Sequence, residues 1–320
     1  MLFAYRLADG RLERLPPEAD LREAIWLDLY RPQPEQSARV AAELGLEVPT
    51  LADMEEIEIS NRLYREGGND VMTAILPGHQ PDGTQVSGPV TFILMPERLV
   101  TVRHHAPRPF ETFPLRADRS STGCATHLRL FLGLVEEIVA RLADHLEAVG
   151  RALDVLAARV YAGSSEPLTS EELEGALREV GRQGEMLARV RLGLLTVERM
   201  LSVFGLWTED RRDLGLKGFV KTLMRDIQAL EVHADFLSGR VALASDTTLG
   251  MVNLSQNQTV RIVSVVAVLF LPPTLIGTVY GMNFQFMPEL DERWGYPSAL
   301  VLMVLSAALS WAYFKWRGWL

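Results

Sequence analysis

The chain is poor in cysteine, and its C-terminal part contains long stretches without charge. Cys124 is the single cysteine among 320 residues. An intrachain disulfide and a zinc site made of several thiolates are therefore excluded. No charged residue lies between Arg261 and Glu289, and none lies between Arg293 and Lys315. These two uncharged stretches predict segments that do not face water.

The sequence also lacks the patterns of common enzyme and nucleic-acid sites. It has no phosphate loop of the Gly-x-x-x-x-Gly-Lys-Ser/Thr type and no histidine pair at helical spacing. A net charge of −9 argues against nucleic-acid binding, since phosphate contacts need a surplus of Lys and Arg. The first residues lack a basic segment followed by an apolar core, so we expect no signal peptide. We expect no enzyme activity, no organic cofactor and no nucleic-acid partner.

The two uncharged stretches are long enough to cross a lipid bilayer. Residues 262–280 would span about 28 Å as a helix, close to the hydrocarbon thickness of about 30 Å. Residues 297–314 are of similar length. Pro272 and Pro273 would kink an isolated helix, but a helix packed among others tolerates them. The alternative is a buried core hairpin of a soluble protein, which would need a thick protein shell around both runs.

The flanking charges predict the orientation of this hairpin. Arg261 precedes the first span, and Lys315 and Arg317 follow the second. The connecting loop carries three acidic residues against Arg293 alone: Glu289, Asp291 and Glu292. Under the positive-inside rule, both termini are cytoplasmic and the loop faces outward. We therefore expect a multi-pass protein of the cell (inner) membrane.

The rest of the chain predicts an α/β domain followed by long helices. Strands are expected at residues 24–30, 71–76, 90–95 and 99–103, and short helices at 35–44 and 53–61. Helices at 128–161 and 170–207 follow, and a break is expected at 215–218. The fold class is therefore α+β: a cytoplasmic α/β domain (1–123), a helical region with a long stalk helix (124–261), and a C-terminal two-helix transmembrane hairpin (262–320).

The stalk helix carries an apolar seam and is predicted to continue into the first span. The seam residues fall at alternating three- and four-residue steps, typical of a coiled coil: Val220, Leu223, Ile227, Leu230, Ala234, Leu237, Val241, Ala244, Thr248, Met251, Ser255 and Gln258. A rod of this length must bury its seam. It packs either within the chain, as a helix bundle, or against other copies around an axis.

One face of the first span is suited to line a pore. The stripe contains all the serine and threonine hydroxyls of the span. Its residues are Asn257, Val260, Ser264, Ala267, Leu271, Thr274, Thr278 and Gly281. Oxygen dipoles without a fixed charge suit a hydrated cation, although such hydroxyls can also simply bond their own backbone. Asn283 would present a carbonyl to the water shell of Mg²⁺, which dehydrates reluctantly. The acidic loop would concentrate cations.

The C-terminal block resembles the CorA family of divalent-cation channels. The resemblance rests on residues 270–274 (FLPPT), 280–284 (YGMNF), 287–290 (MPEL), 295–297 (GYP), 313–315 (YFK) and 319–320 (WL). It extends to residues 26–29 (WLDL) and 53–58 (DMEEIE). The family likeness implies a homopentamer with a selectivity filter at Gly281, Met282 and Asn283. It also implies a hydroxyl ring at Thr274, and a gate and inner mouth at Leu271, Val263, Val260 and Asn257.

The resemblance further implies regulation by intracellular Mg²⁺ that bridges neighbouring subunits. Glu55 and Glu56 match the acidic pair of that site. The position on the stalk helix that would complete the site is occupied by Thr222, which has no carboxylate, and the nearest carboxylate is that of Asp226, one turn further along. We expect Mg²⁺, and also Co²⁺ or Ni²⁺, to pass into the cytoplasm through a pentamer embedded in the lipid bilayer. The alternatives are a zinc transporter of the same family and a membrane-anchored cytoplasmic scaffold.

Overall fold

The computed structural model describes residues 1–56, 58, 62–161, 168–208, 215–282, 287–288 and 292–319. The chain divides into two compact units. Unit 1 comprises Met1–Ala162 and Arg178–Ala244, and unit 2 comprises Gly163–Leu177 and Ser245–Leu320. The three domains expected from the sequence, with bounds at residues 123 and 261, stay a prediction.

Unit 1 contains a seven-stranded mixed sheet in the order β2-β1-β3-β7-β6-β5-β4. The strands are β1 (Leu2–Ala8), β2 (Arg11–Arg14), β3 (Trp26–Tyr30), β4 (Leu63–Glu66), β5 (Asn69–His79), β6 (Gln85–Leu94) and β7 (Leu99–Arg103). Strands β3 and β7 pair in parallel, and all other neighbours are antiparallel. The strands predicted at residues 90–95 and 99–103 correspond to β6 and β7, which pair antiparallel.

The helices are α1 (Pro34–Leu44), α2 (Leu51–Glu55), α3 (Pro109–Thr112), α4 (His127–Tyr161), α5 (Ser170–Trp207), α6 (Leu216–Tyr280) and α7 (Gly295–Trp316). Helix α1 ends as predicted, because Gly45 at φ 66° adopts the left-handed conformation that favours glycine. The break predicted at residues 215–218 is wrong in part, since α6 already begins at Leu216. The bounds of the helix predicted at residues 53–61 are wrong: α2 begins at Leu51, because Thr50 caps it, and ends at Glu55.

The sheet of unit 1 has an apolar cluster on each face. One cluster joins the sheet to α4, α5 and the first part of α6, with Phe131 and Phe204 in ring contact at 4.9 Å between centroids. The other cluster lies under α1 and includes Val40 and Leu46. The seam of α6 is buried in the first cluster at Leu223, Ile227, Ala234 and Leu237. Packing within the chain, one of the two alternatives, therefore accounts for this part of the seam.

Unit 2 contains the later part of α6 and helix α7. Helix α6 continues without interruption through Pro272 and Pro273 to Tyr280, as predicted for a stalk that enters the first span. Both helices are long and apolar enough to cross a membrane. Only 6% of the most apolar stretch of α6 and 11% of that of α7 are buried within the chain. The alternative of a soluble core hairpin requires burial and is not supported.

Candidate functional site

The apolar part of α6 has two faces on opposite sides of the helix, at about 100° per residue. Val265 is buried, and Leu269, Ile276 and Gly277 are half-buried on the same side. The predicted pore stripe lies on the other side and, apart from half-buried Ser264, its residues are exposed: Asn257, Val260, Ala267, Leu271, Thr274, Thr278 and Gly281. The gate residue implied by the resemblance, Val263, is exposed as well. The chain therefore covers one face of the span and leaves the polar one free.

Helix α7 presents a matching inner stripe of mostly small residues. Ala299 and Phe314 are buried, and the positions between them at three- and four-residue steps are half-buried: Met303, Ser306, Ala307 and Ser310. A Cβ atom added to Gly277 would lie 3.1 Å from the Cε atom of Met303. Gly277 thus permits close packing of α6 on α7, as small residues do in membrane helix pairs.

The hydroxyls of the exposed stripe have a common geometry. Ser264 donates to the Val260 carbonyl, Thr274 to that of Phe270, and Thr278 to that of Thr274, each at 2.7 Å. The alternative that these hydroxyls bond their own backbone is therefore correct as a description of their donor hydrogens. It does not exclude pore lining. With the hydrogen engaged, each oxygen retains lone pairs that can accept a hydrogen bond, such as one donated by the water shell of a cation.

The outer end of the candidate pathway is partly described. Gly281 and Met282 form the turn after α6, where the Gly281 amide donates to the Gly277 carbonyl at 3.0 Å. Both residues are exposed. Asn283, Glu289 and Asp291 lie outside the described residues. Glu292 is exposed, and its carbonyl accepts the amide of Gly295 at 3.0 Å, at the start of α7.

The predicted regulatory residues all lie in unit 1 but form no cluster within the chain. Glu55 ends α2, and Glu56 follows it with its carbonyl accepting from the Arg62 guanidinium at 2.6 Å. Asp226 is exposed on α6, as is Thr222, whose hydroxyl bonds the Gly218 carbonyl. Among the described residues, no group of three His, Cys, Asp or Glu side chains could hold a metal ion. A regulatory site between subunits stays a prediction.

Lys315 and Arg317 were used to predict the orientation, but the aromatic side chains at both ends of α7 were not recognised from the sequence as membrane-interface residues. Trp294 and Tyr296 are exposed at its start. At its end, the Lys315 ammonium lies 4.7 Å from the Trp311 ring and the Arg317 guanidinium lies 5.9 Å from the Tyr313 ring. Such residues are typical of the two interfaces of a membrane. Their spacing along the sequence could have revealed them.

Comparison with known proteins gives a family and relatives over the full length. The family model described as "CorA-like Mg2+ transporter protein" matches residues 22–316. The magnesium transport protein CorA of Pectobacterium atrosepticum is 32% identical, with both chains covered completely.

Two solved structures share the fold. The complete CorA magnesium transporter of Methanocaldococcus jannaschii has a TM-score of 0.72 at 18% identity, with 100% of this chain and 99% of that chain covered. The ZntB cytoplasmic domain of Vibrio parahaemolyticus has a TM-score of 0.54 at 11% identity, with 78% of this chain and 96% of that chain covered. Because the family model covers most of the sequence and a relative above 30% identity matches over its full length, this chain belongs to the CorA family.

Proposed function

We propose that this protein is a channel that carries hydrated Mg²⁺ into the cytoplasm, down its electrochemical gradient. An inside-negative potential of 100 mV contributes about 4.6 kcal/mol to the inward movement of a divalent ion. No energy-coupling site is therefore required. The proposal rests on membership of the CorA family and on the magnesium transport function named for its relatives.

The observation that carries the proposal is the hydroxyl stripe of α6, which is exposed on the face opposite to α7. A polar face directed at lipid is unfavourable, because lipid offers no partner for it. If several copies stood around an axis with α7 outward, the stripes would instead enclose a path for water and ions. The outward side chains of α7 are apolar and suit contact with lipid: Val301, Val304, Leu305 and Leu309.

Helix α6 also supports assembly of several copies. An exposed apolar stripe runs along it on the side opposite to the buried seam: Val232, Phe236, Leu243 and Leu254. An apolar stripe of this length requires a partner, and further copies of the same helix are the simplest one. We propose a homopentamer, the number that the family resemblance implies, with Asn283 of each copy in a ring at the outer mouth.

The finer features of transport are part of the same proposal. Co²⁺ and Ni²⁺ share the octahedral hydration that the filter would recognise, and intracellular Mg²⁺ would close the channel through Glu55, Glu56 and Asp226. The charges next to the spans favour the inner membrane with both termini cytoplasmic. A zinc transporter of the same family is the second candidate, and the likeness to the ZntB cytoplasmic domain concerns the fold alone.

Flux measurements on liposomes with a fixed potential test the proposal. We expect Mg²⁺ entry through the wild-type protein and at least a tenfold loss in Asn283→Ala, which removes the carbonyl that holds the hydrated ion. Ser306→Ala removes a hydroxyl from the inner stripe of α7 and should leave flux unchanged. Absence of flux in wild type would favour the membrane-anchored scaffold. Zn²⁺ flux that exceeds Mg²⁺ flux would favour the zinc transporter.

A further inference from the structure

A small basic pocket lies in unit 1, apart from the residues assigned to ion transport. It has a volume of about 20 Å³, which is enough for about one atom of the size of a water oxygen. Five basic side chains from four segments line it: His79 at the end of β5, Arg108 before α3, Arg141 and His145 one turn apart on α4, and Arg189 on α5. Of the described residues, no acidic one lines the pocket.

The positive charge of the pocket is only partly neutralised. Arg141 pairs with Asp144 at 3.3 Å, and Arg189 pairs with Glu185, but the side chains of Asp144 and Glu185 are 63% and 66% exposed. Ion pairs exposed to this degree are weak, so an anion in the pocket can compete with them, and their loss would strengthen its binding only several-fold. The side chain of Arg108 is exposed, and its guanidinium adds a permanent positive charge to the lining of the pocket. The pocket therefore offers guanidinium donors to an anionic ligand.

Two further observations indicate that the pocket is suited to an anion. The Nε atom of Arg141 is buried and has no hydrogen-bond partner among the described residues. A buried donor without a partner is unfavourable, so a ligand that accepts a hydrogen bond from it is favoured. The pKa of His145 is lowered, first by burial and then by the positive charge of Arg141, with His79 acting in the same direction against Asp144. The pocket therefore disfavours a further cation.

We propose that this pocket binds a phosphate-type oxyanion, either free inorganic phosphate or the terminal phosphate of a nucleotide. Guanidinium groups from three segments approach the pocket, and each can donate two parallel hydrogen bonds to a tetrahedral oxyanion. The small volume admits about one oxygen of such a group, so the rest of the ligand would lie at the mouth of the pocket or outside it. This site is additional to the proposed transport of cations and does not depend on it.

Calorimetric titration of the full-length protein in detergent tests the proposal. The protein is freed of divalent metal and titrated with sodium phosphate, and in a second series with ADP, at constant ionic strength. We expect saturable binding in at least one series. Equal affinities would identify the free anion as sufficient, and tighter binding of ADP would identify a nucleotide phosphate. No saturable binding in either series would overturn the proposal.

Two matched pairs of variants locate the site. Arg141→Gln and Arg189→Gln should each weaken binding about 10-fold or more, the equivalent of one charge-assisted hydrogen bond. Arg151→Gln on α4 and Arg182→Gln on α5 are the controls, because each removes an arginine paired with a glutamate of its own helix outside the pocket. Equal affinity in the pocket variants and the controls would contradict the assignment.

A gain of affinity gives a readout that misfolding cannot imitate. Asp144→Asn and Glu185→Gln remove the carboxylates that compete for Arg141 and Arg189. Both side chains are largely exposed, so the fold should tolerate the changes. We expect each variant to bind phosphate several-fold more tightly than wild type. Unchanged or weaker binding in both would show that the arginines do not hold the anion.

Discussion

The two kinds of long helix in this chain use apolar residues in opposite ways. In α4, residues such as Phe131 and Leu134 are fully buried in the core of unit 1. In the span of α6 and in α7, large apolar side chains such as Phe270, Leu271 and Val304 are exposed within the single chain. Burial drives folding in water, whereas exposed apolar side chains require lipid or other copies. The first region is complete in one chain, and the second is not.

The largest expected effect is a loss of stability when a buried residue of the unit 1 core is removed. Phe131→Ala removes a ring that contacts Phe92 and Phe204, and should cost about 3–5 kcal/mol of stability. The melting temperature of the protein in detergent should fall by several degrees. Val155→Ala, an exposed position on the same helix, is the control and should change it little. Equal shifts would show that burial does not distinguish the two positions.

A smaller effect is expected where β5 and β6 approach His105. A Cβ atom on Gly78 would lie 2.7 Å from the ring of His105 and 2.8 Å from the backbone nitrogen of Pro107. Gly78→Ala should therefore destabilise the protein by up to about 3 kcal/mol, through overpacking. Gly181→Ala in α5 meets nothing within 4 Å and should be neutral or stabilising in the same melting experiment. A stable Gly78→Ala would refute the close approach.

The smallest expected effect is a loss of stability at acidic pH. Burial lowers the pKa of His105 to about 4, with Arg103 and His104 adding to the effect and the bond to the Leu76 carbonyl opposing it. Between this value and the ordinary value of 6.5, the unfolded chain binds a proton that the folded chain does not. Stability should therefore fall as the pH drops, by about 2 kcal/mol from this residue at pH 5.

Melting temperatures from pH 7 to pH 5 measure this effect. His105→Gln should reduce the slope relative to wild type. Some slope should remain in His105→Gln, because the pKa values of His104 and His145 are also lowered, mainly by burial. An unchanged slope in His105→Gln would contradict a buried, neutral imidazole.

Long helices could be predicted from the sequence because their signals are local. The bounds of α5 agree with the prediction, as Ser170 begins an acidic first turn and the apolar period continues to Trp207. The first span, predicted at residues 262–280, ends at Tyr280, which is also the last residue of α6. Strand β2 was missed because its residues are mostly exposed and two of them are arginines, so no alternation marks it.

Features that depend on distant parts of the chain could not be predicted. The basic pocket joins residues from His79 to Arg189, which no spacing rule connects. The face of α6 that contacts α7 could be separated from the hydroxyl stripe by helical period alone, but the approach of Gly277 to Met303 needed coordinates. The proposed contact between Glu55 and Asp226 would form between two copies of the chain, so it depends on the assembly and not on local sequence.

Cysteine accessibility in lipid tests the central claim most directly, that the exposed stripe of α6 faces water. Cys124 is buried and is the single cysteine of the chain, so Cys124→Ala provides a background without thiols. In that background, we expect Thr274→Cys to react with a cationic, water-soluble thiol reagent and to lose Mg²⁺ flux. Val304→Cys on the outer face of α7 should do neither, although 69% of Val304 is exposed in the single chain. An unreactive Thr274→Cys, or equal reaction at both positions, would contradict the account.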